Sequence, residues 1–171
     1  MTKKTYLIIT GGTAGNSYGD VINSNILFGS GGGGASSTFG AGGGALELDI
    51  TQFLIVEGTI ESNGKAGSGN TIGGGSGGYI LVHTRDIEGS GNVRVAGGAG
   101  GTDTGAGGGG RIAVYYKYAD YWFGSLDARG GAGSYGIGGA GTVYLKVRMG
   151  TWLGNVNKSF GIGYILDISQ V

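Results

Sequence analysis

The chain contains no cysteine and no proline. Without cysteine there is no disulfide framework, no thiol chemistry and no cysteine-bound zinc site. Without proline, collagen and polyproline structures are excluded, and an ordinary disordered linker, a proline-rich class, is disfavoured. Charge is also scarce. Only 13% of residues are Asp, Glu, Lys or Arg, and 11 basic residues balance 11 acidic ones for a formal net charge of +0. Such a balance leaves no electrostatic footprint for nucleic acid or for an anionic membrane. No apolar run approaches the ~20 residues of a membrane span. The run Tyr6-Leu7-Ile8-Ile9 after Lys3 and Lys4 is shorter than the roughly 7–15 residues of a signal-peptide core. No window sustains the i, i+3, i+4, i+7 apolar pattern of a helix.

Glycine is abundant instead, at 45 of 171 residues, against roughly 7% in an average chain. The chain is nevertheless 39% hydrophobic, and a sequence with that much apolar content and so little charge favours a packed fold over disorder.

The glycines are arranged periodically. Four glycine runs end abruptly in alternating apolar strands that begin at Ala45, Tyr79, Arg111 and Thr142, with spacings of 34, 32 and 31 residues. A second, glycine-led strand follows the first three, at Gly58, Gly91 and Gly124, spaced 33 residues apart each time. Two independent landmarks sharing one period indicate stacked repeats. The termini fit more loosely: Tyr6–Ile9 and Tyr164–Ile168 resemble first strands, and Gly19–Asn23 and Gly154–Asn157 resemble second strands.

Alternation in the first strand assigns a core column of Leu46, Leu48, Ile80, Val82, Ile112, Val114, Val143 and Leu145, with Leu7 and Ile9 in register. Glu47, His83, Arg111, Tyr115 and Lys146 fall on the other face, the period-two pattern of a half-buried strand. In the second strand Ile60, Val93, Leu126 and Val156 point inward, while Glu61, Arg94 and Asp127 occupy one outward position. Parallel strands lie about 4.8 Å apart, so these three predict a ladder of alternating charge. The glycine arcs, near residues 29–44, 64–78, 97–110 and 130–141, are expected to stack in a polyglycine-II-like or flattened-strand conformation; the alternative is a set of surface loops.

The predicted fold is therefore all-β. It is a parallel β-solenoid of four to five coils of about 31–34 residues, with two short strands and a stacked glycine-rich arc per coil. One domain covers residues 1–171, with core repeats at 29–147 and atypical terminal coils at 1–28 and 148–171.

Three segments, Gly107–Tyr116, Gly124–Gly131 and Gly138–Lys146, resemble the glycine-rich β-helix repeats of large secreted or cell-surface prokaryotic proteins. The resemblance covers about residues 29–147. It implies a stalk, adhesin shaft or surface-layer module, extracellular or on the cell surface, and transfers no catalytic residues.

Chemistry-bearing groups are few. Gly11-Gly12-Thr13-Ala14-Gly15-Asn16 lacks the Lys-Ser/Thr of a phosphate loop. His83, the single histidine, has no partners at a spacing that suits a metal or a catalytic triad. The carboxylates Asp49, Glu57, Asp86, Glu88, Asp103, Asp120 and Asp127 are scattered over turns with no calcium-binding pattern. No catalytic residue, cofactor or metal site is expected. The aromatic cluster Tyr115, Tyr116, Tyr118, Tyr121, Trp122 and Phe123 either packs the turn between two strands or forms a platform for a glycan or partner, to which Tyr79 and Tyr144 could add. Leu7, Ile9, Ile165 and Ile168 mark strand edges without a charged or proline cap, candidates for joining copies by strand addition.

Three expectations follow. The first is a non-enzymatic structural protein that assembles into a homo-oligomer or filament, without nucleic acid and without membrane insertion. The second is an adhesin or phage tail-fibre module, carried on a virion, that binds a surface glycan or receptor. The third is a polysaccharide-degrading solenoid.

Overall fold

A computed structural model describes residues 27–34 and 40–147, together with the strand Tyr164–Leu166. These form a parallel β-solenoid of about three turns, with no helix among the described residues. The first strands are β1 (Ala45–Asp49), β4 (Tyr79–His83), β7 (Arg111–Tyr116) and β9 (Thr142–Val147), joined by β10 (Tyr164–Leu166) in a sheet of order β1-β4-β7-β9-β10. Register follows the repeat: Leu46 lies beside Ile80, Ile80 beside Ile112, and Ile112 beside Val143. The second strands β3 (Thr59–Glu61), β6 (Asn92–Arg94) and β8 (Ser125–Asp127) form another parallel sheet that aligns Ile60, Val93 and Leu126.

A third strand per coil was not expected from the sequence. β2 (Phe53–Ile55) pairs in parallel with β5 (Asp86–Glu88), and the third coil continues this wall through single bridges, Asp86 to Tyr118 and Gly89 to Trp122. The segment between first and second strands is thus a wall of the solenoid rather than a polar turn. Three residue steps separate Asp86 from Gly89, but four separate Tyr118 from Trp122. That one-residue insertion interrupts the ladder, as a bulge does. It also accounts for a first-strand spacing of 32 beside a second-strand spacing of 33 over the same interval.

All three walls face one core. Ile80, Val82, Ile112, Val114, Val143 and Leu145 come from the largest sheet, Val56, Ile87 and Trp122 from the β2–β5 wall, and Val93, Val95 and Ala128 from the β3–β6–β8 wall. Side chains at successive coils stack about 4.8 Å apart, so the core is a set of continuous columns. Leu46 and Leu48 in the first described coil are only partly buried, as are Leu54 and Ile60.

The opposite face of the large sheet is not the solvent face that strict alternation predicts. Tyr79, Leu81, Ala113 and Tyr144 form a second buried cluster there, with Ala45 and Tyr115 packed against it. The run Tyr79-Ile80-Leu81-Val82 is apolar at every position, the pattern of a strand buried on both sides.

The glycine arcs are ordered. Each runs out from the second strand and returns to the next first strand. Matching arms bond from coil to coil: the Gly64 amide donates to Ala96 O (2.8 Å) and Gly97 to Arg129 O (2.8 Å), while Gly77 donates to Gly108 O (2.8 Å) and Gly109 to Gly139 O (2.9 Å). Outgoing and returning arms are also laced together. Gly75 donates to Lys65 O (2.9 Å), Gly98 to Gly75 O (2.8 Å), Gly107 to Gly98 O (2.9 Å), Gly131 to Gly107 O (2.9 Å) and Gly138 to Gly131 O (2.9 Å). The returning arm at 105–110 therefore bonds to four neighbouring arms, in the manner of polyglycine II. This network offsets an ordering cost of about 1–2 kcal/mol per residue.

Close approach, rather than backbone handedness, requires glycine in the arms. Only Gly69, Gly89 and Gly136 have positive φ among the described residues. A Cβ on Gly77 would run into the Val95 carbonyl, on Gly107 into that of Gly75, and on Gly109 into that of Ala128, each well inside 3.0 Å.

Candidate functional site

The β2–β5 wall carries a concentration of outward-facing aromatic and charged side chains. Parallel register places Phe53, Asp86 and Tyr118 in one column across three coils. Beside it, Ile55 aligns with Glu88, and the Gly89 amide donates to Tyr121 O at 3.0 Å, bringing Tyr121 next to Glu88. Between the columns lies a groove of about 200 Å³ lined by Phe53, Asp86, Glu88, Tyr118, Asp120 and Tyr121. Alternation dictates its composition: Leu54 and Ile87 turn into the core, so Phe53, Ile55, Asp86 and Glu88 must turn out.

Asp86 is buried at the groove floor and satisfied there. Its carboxylate accepts from Arg85 Nε at 2.8 Å, and the Arg85 guanidinium lies 4.9 Å from the Phe53 ring centre. The Thr84 hydroxyl donates to Asp86 O at 2.9 Å and fixes the local turn. Lys117 Nζ sits 5.0 Å from the Tyr118 ring centre. Glu88 and Asp120 make no ion pair among the described residues. The groove thus presents the Phe53 ring at one end, the carboxylates of Asp86 and Glu88 at its middle, and Tyr118, Tyr121 and Asp120 at the other end.

The aromatic cluster read from the sequence is not one patch. Tyr116 (6% exposed) and Trp122 (9% exposed) are core residues, and burial raises the Tyr116 hydroxyl pKa above its ordinary value. Tyr115 lies on the opposite face of the large sheet, 4.7 Å from the His83 ring and 5.6 Å from that of Tyr144. Tyr118 and Tyr121 enter the groove, while Phe123 is exposed (76%) and outside it. Strand alternation is the reason: residues adjacent in sequence point to opposite sides of a wall. Tyr79 and Tyr144 do not extend an exposed aromatic stripe, because both are buried. Burial raises the Tyr79 pKa, against the opposing pull of the Arg111 guanidinium. Phe53, absent from the sequence reading, belongs to the groove; its signal was the shared register with Tyr118, hidden because the three coils carry Phe, Asp and Tyr at that position.

Of the proposed joining edges, Ile165 lies in β10, which pairs with β9 and ends the described sheet, with Ile165 beside Tyr144. Leu7, Ile9 and Ile168 lie outside the described residues, as does Val156. The charge ladder is in register, Glu61 beside Arg94 beside Asp127. Only its upper half forms an ion pair, Arg94 Nε to Asp127 Oδ2 at 3.5 Å, while Glu61 accepts from Asn63 Nδ2 at 2.9 Å.

Among the described residues, no group of three or more His, Asp or Glu side chains could hold a metal ion, and no helix is long and apolar enough to cross a membrane. Comparison with known proteins finds no match: no family model, no curated relative and no solved structure aligns with the chain.

Proposed function

We propose that this chain is a non-enzymatic structural module, a stiff solenoid segment that stacks end to end in an extracellular fibre, cell-surface shaft or virion appendage. The observation that supports it most is the glycine lacing, which runs through every described coil and ties each arm to its neighbours on several sides. Such construction suits a spacer more than a lid or a hinge. The first described coil leaves its core positions incompletely covered: Leu46, Leu48, Leu54 and Ile60 are only partly buried, whereas their register partners Ile80, Val82, Ile87 and Val93 are buried. A further coil of the same kind, from a second copy or from preceding repeats, would complete these columns, and sheets with open edges extend readily by parallel strand addition.

Electron microscopy and sedimentation of the purified chain test the reading. Rods or filaments of coil-like width are expected, with Leu48→Glu shifting the population to single particles. A strictly monomeric particle at high concentration would count against it.

A further inference from the structure

We propose that the groove on the β2–β5 wall binds an uncharged carbohydrate chain, with Phe53, Tyr118 and Tyr121 as stacking surfaces and Glu88 and Asp120 as acceptors for its hydroxyls. The proposal does not depend on the structural role above; a shaft can carry a binding groove along one wall.

Three observations favour this ligand class. First, the rings are exposed where a packing role would hide them: Phe53 is 50% and Tyr121 66% exposed, while Trp122 of the same segment is buried. Exposed aromatic rings clustered around a concavity offer flat apolar faces with polar rims, and the axial C–H face of a pyranose fits such a surface. Second, Phe53 and Tyr118 occupy the same column two coils apart, hence about 9.6 Å. That is comparable to the distance between alternate units of an extended glycan, and it places the Glu88 coil under the unit in between. Third, the charges nearly cancel. Arg85 is paired with Asp86 and Lys117 stands at Tyr118, leaving an excess of one carboxylate over Asp86, Glu88 and Asp120. Such a groove has no field strong enough to select a polyanion or a polycation. What remains is ring surface together with carboxylates outside any ion pair, and these accept bidentate hydrogen bonds from vicinal hydroxyls.

The test is a titration of the full chain, followed by amide NMR, with neutral tetra- to hexasaccharides of the cello-, manno-, xylo- and chito- series. The expected result is saturable shifts centred on Glu88, Tyr118 and Tyr121. Tyr121→Ala and Glu88→Ala should each weaken binding roughly tenfold, and Phe123→Ala, exposed but outside the groove, should leave it unchanged. Both substituted positions in the groove lie at the surface of the wall, and an unchanged thermal midpoint confirms that the variants fold. The proposal is overturned if no oligosaccharide of the panel shifts these resonances. It is equally overturned if Tyr121→Ala and Glu88→Ala bind as the native chain does, or if oligolysine, in a salt-sensitive manner, is the only ligand that binds.

Discussion

Arg94 and Asp127 stand in parallel register on adjacent coils, with Arg94 Nε 3.5 Å from Asp127 Oδ2. The same carboxylate takes Arg129 Nε at 2.9 Å and Nη2 at 2.8 Å. The Arg129 hydrogen bond is the main reason the Asp127 pKa lies below the ordinary carboxylate value, with its backbone amide and the Arg94 charge adding to it against partial burial. A carboxyl with a depressed folded-state pKa stabilises the fold fully above its unfolded value, near pH 4, and loses that contribution as pH falls through the folded value. Asp127→Asn should lower stability at neutral pH by no more than about 1 kcal/mol, since Arg129 is largely solvated and Arg94 partly so. The difference between native and variant melting temperatures should shrink as pH falls below about 4. A difference that persists unchanged in acid would sink the assignment.

The glycine arms predict a sharp contrast between two nearby alanine substitutions. A Cβ at Gly109 collides with the Ala128 carbonyl and the Gly141 amide, whereas one at Gly139 meets nothing within 4 Å. Gly109→Ala should destabilise by about 1–3 kcal/mol or more. Gly139→Ala should be neutral or stabilise by about 0.4–1 kcal/mol, because it restricts the unfolded chain. Urea titration of both variants checks this.

Hydrogen exchange distinguishes laced arms from glycine-rich loops. The amides of Gly77, Gly98, Gly107, Gly109 and Gly131 all donate to other arms. They should exchange near the rate set by global unfolding, while the exposed tip at Gly69 should exchange quickly. Rapid exchange along the arms would contradict the network.

Trp122 and Tyr121 should separate fold from surface. Trp122→Ala removes a core side chain that packs over Gly124 and should cost about 3–5 kcal/mol. Tyr121→Ala should change stability by no more than about 0.5 kcal/mol. Comparable losses in the two variants would refute the division of the cluster.

The parts of this fold that were legible in the sequence are those where successive coils repeat the same residue type. Leu, Ile, Val and Leu recur at the inner first-strand positions, and Ile60, Val93 and Leu126 share the inner second-strand position, so the period exposed the walls and their register. The β2–β5 wall was illegible because its outward position holds Phe53, then Asp86, then Tyr118, and one coil carries an extra residue. The three coils share no residue type there. The groove was therefore only half visible, through Tyr118 and Tyr121. The buried second face of the large sheet had a signal, the unbroken apolar run at Tyr79–Val82, but Glu47, His83 and Lys146 in neighbouring positions made the sheet resemble one with a wet side.

The lacing of the glycine arms has a mechanical consequence. Bonds from coil to coil within a wall lie along the stacking axis, and a load applied at one end could peel them one at a time. The bonds from Gly98 to Gly75 and from Gly131 to Gly107 join outgoing arms to returning arms of the preceding coil, across that direction. Twisting one coil against the next must shear these crosswise links together with the axial ones. The glycine side of the molecule therefore behaves as a torsion-resistant spine, stiffened by main chain alone, while the three side-chain-bearing walls remain free to vary in what they display.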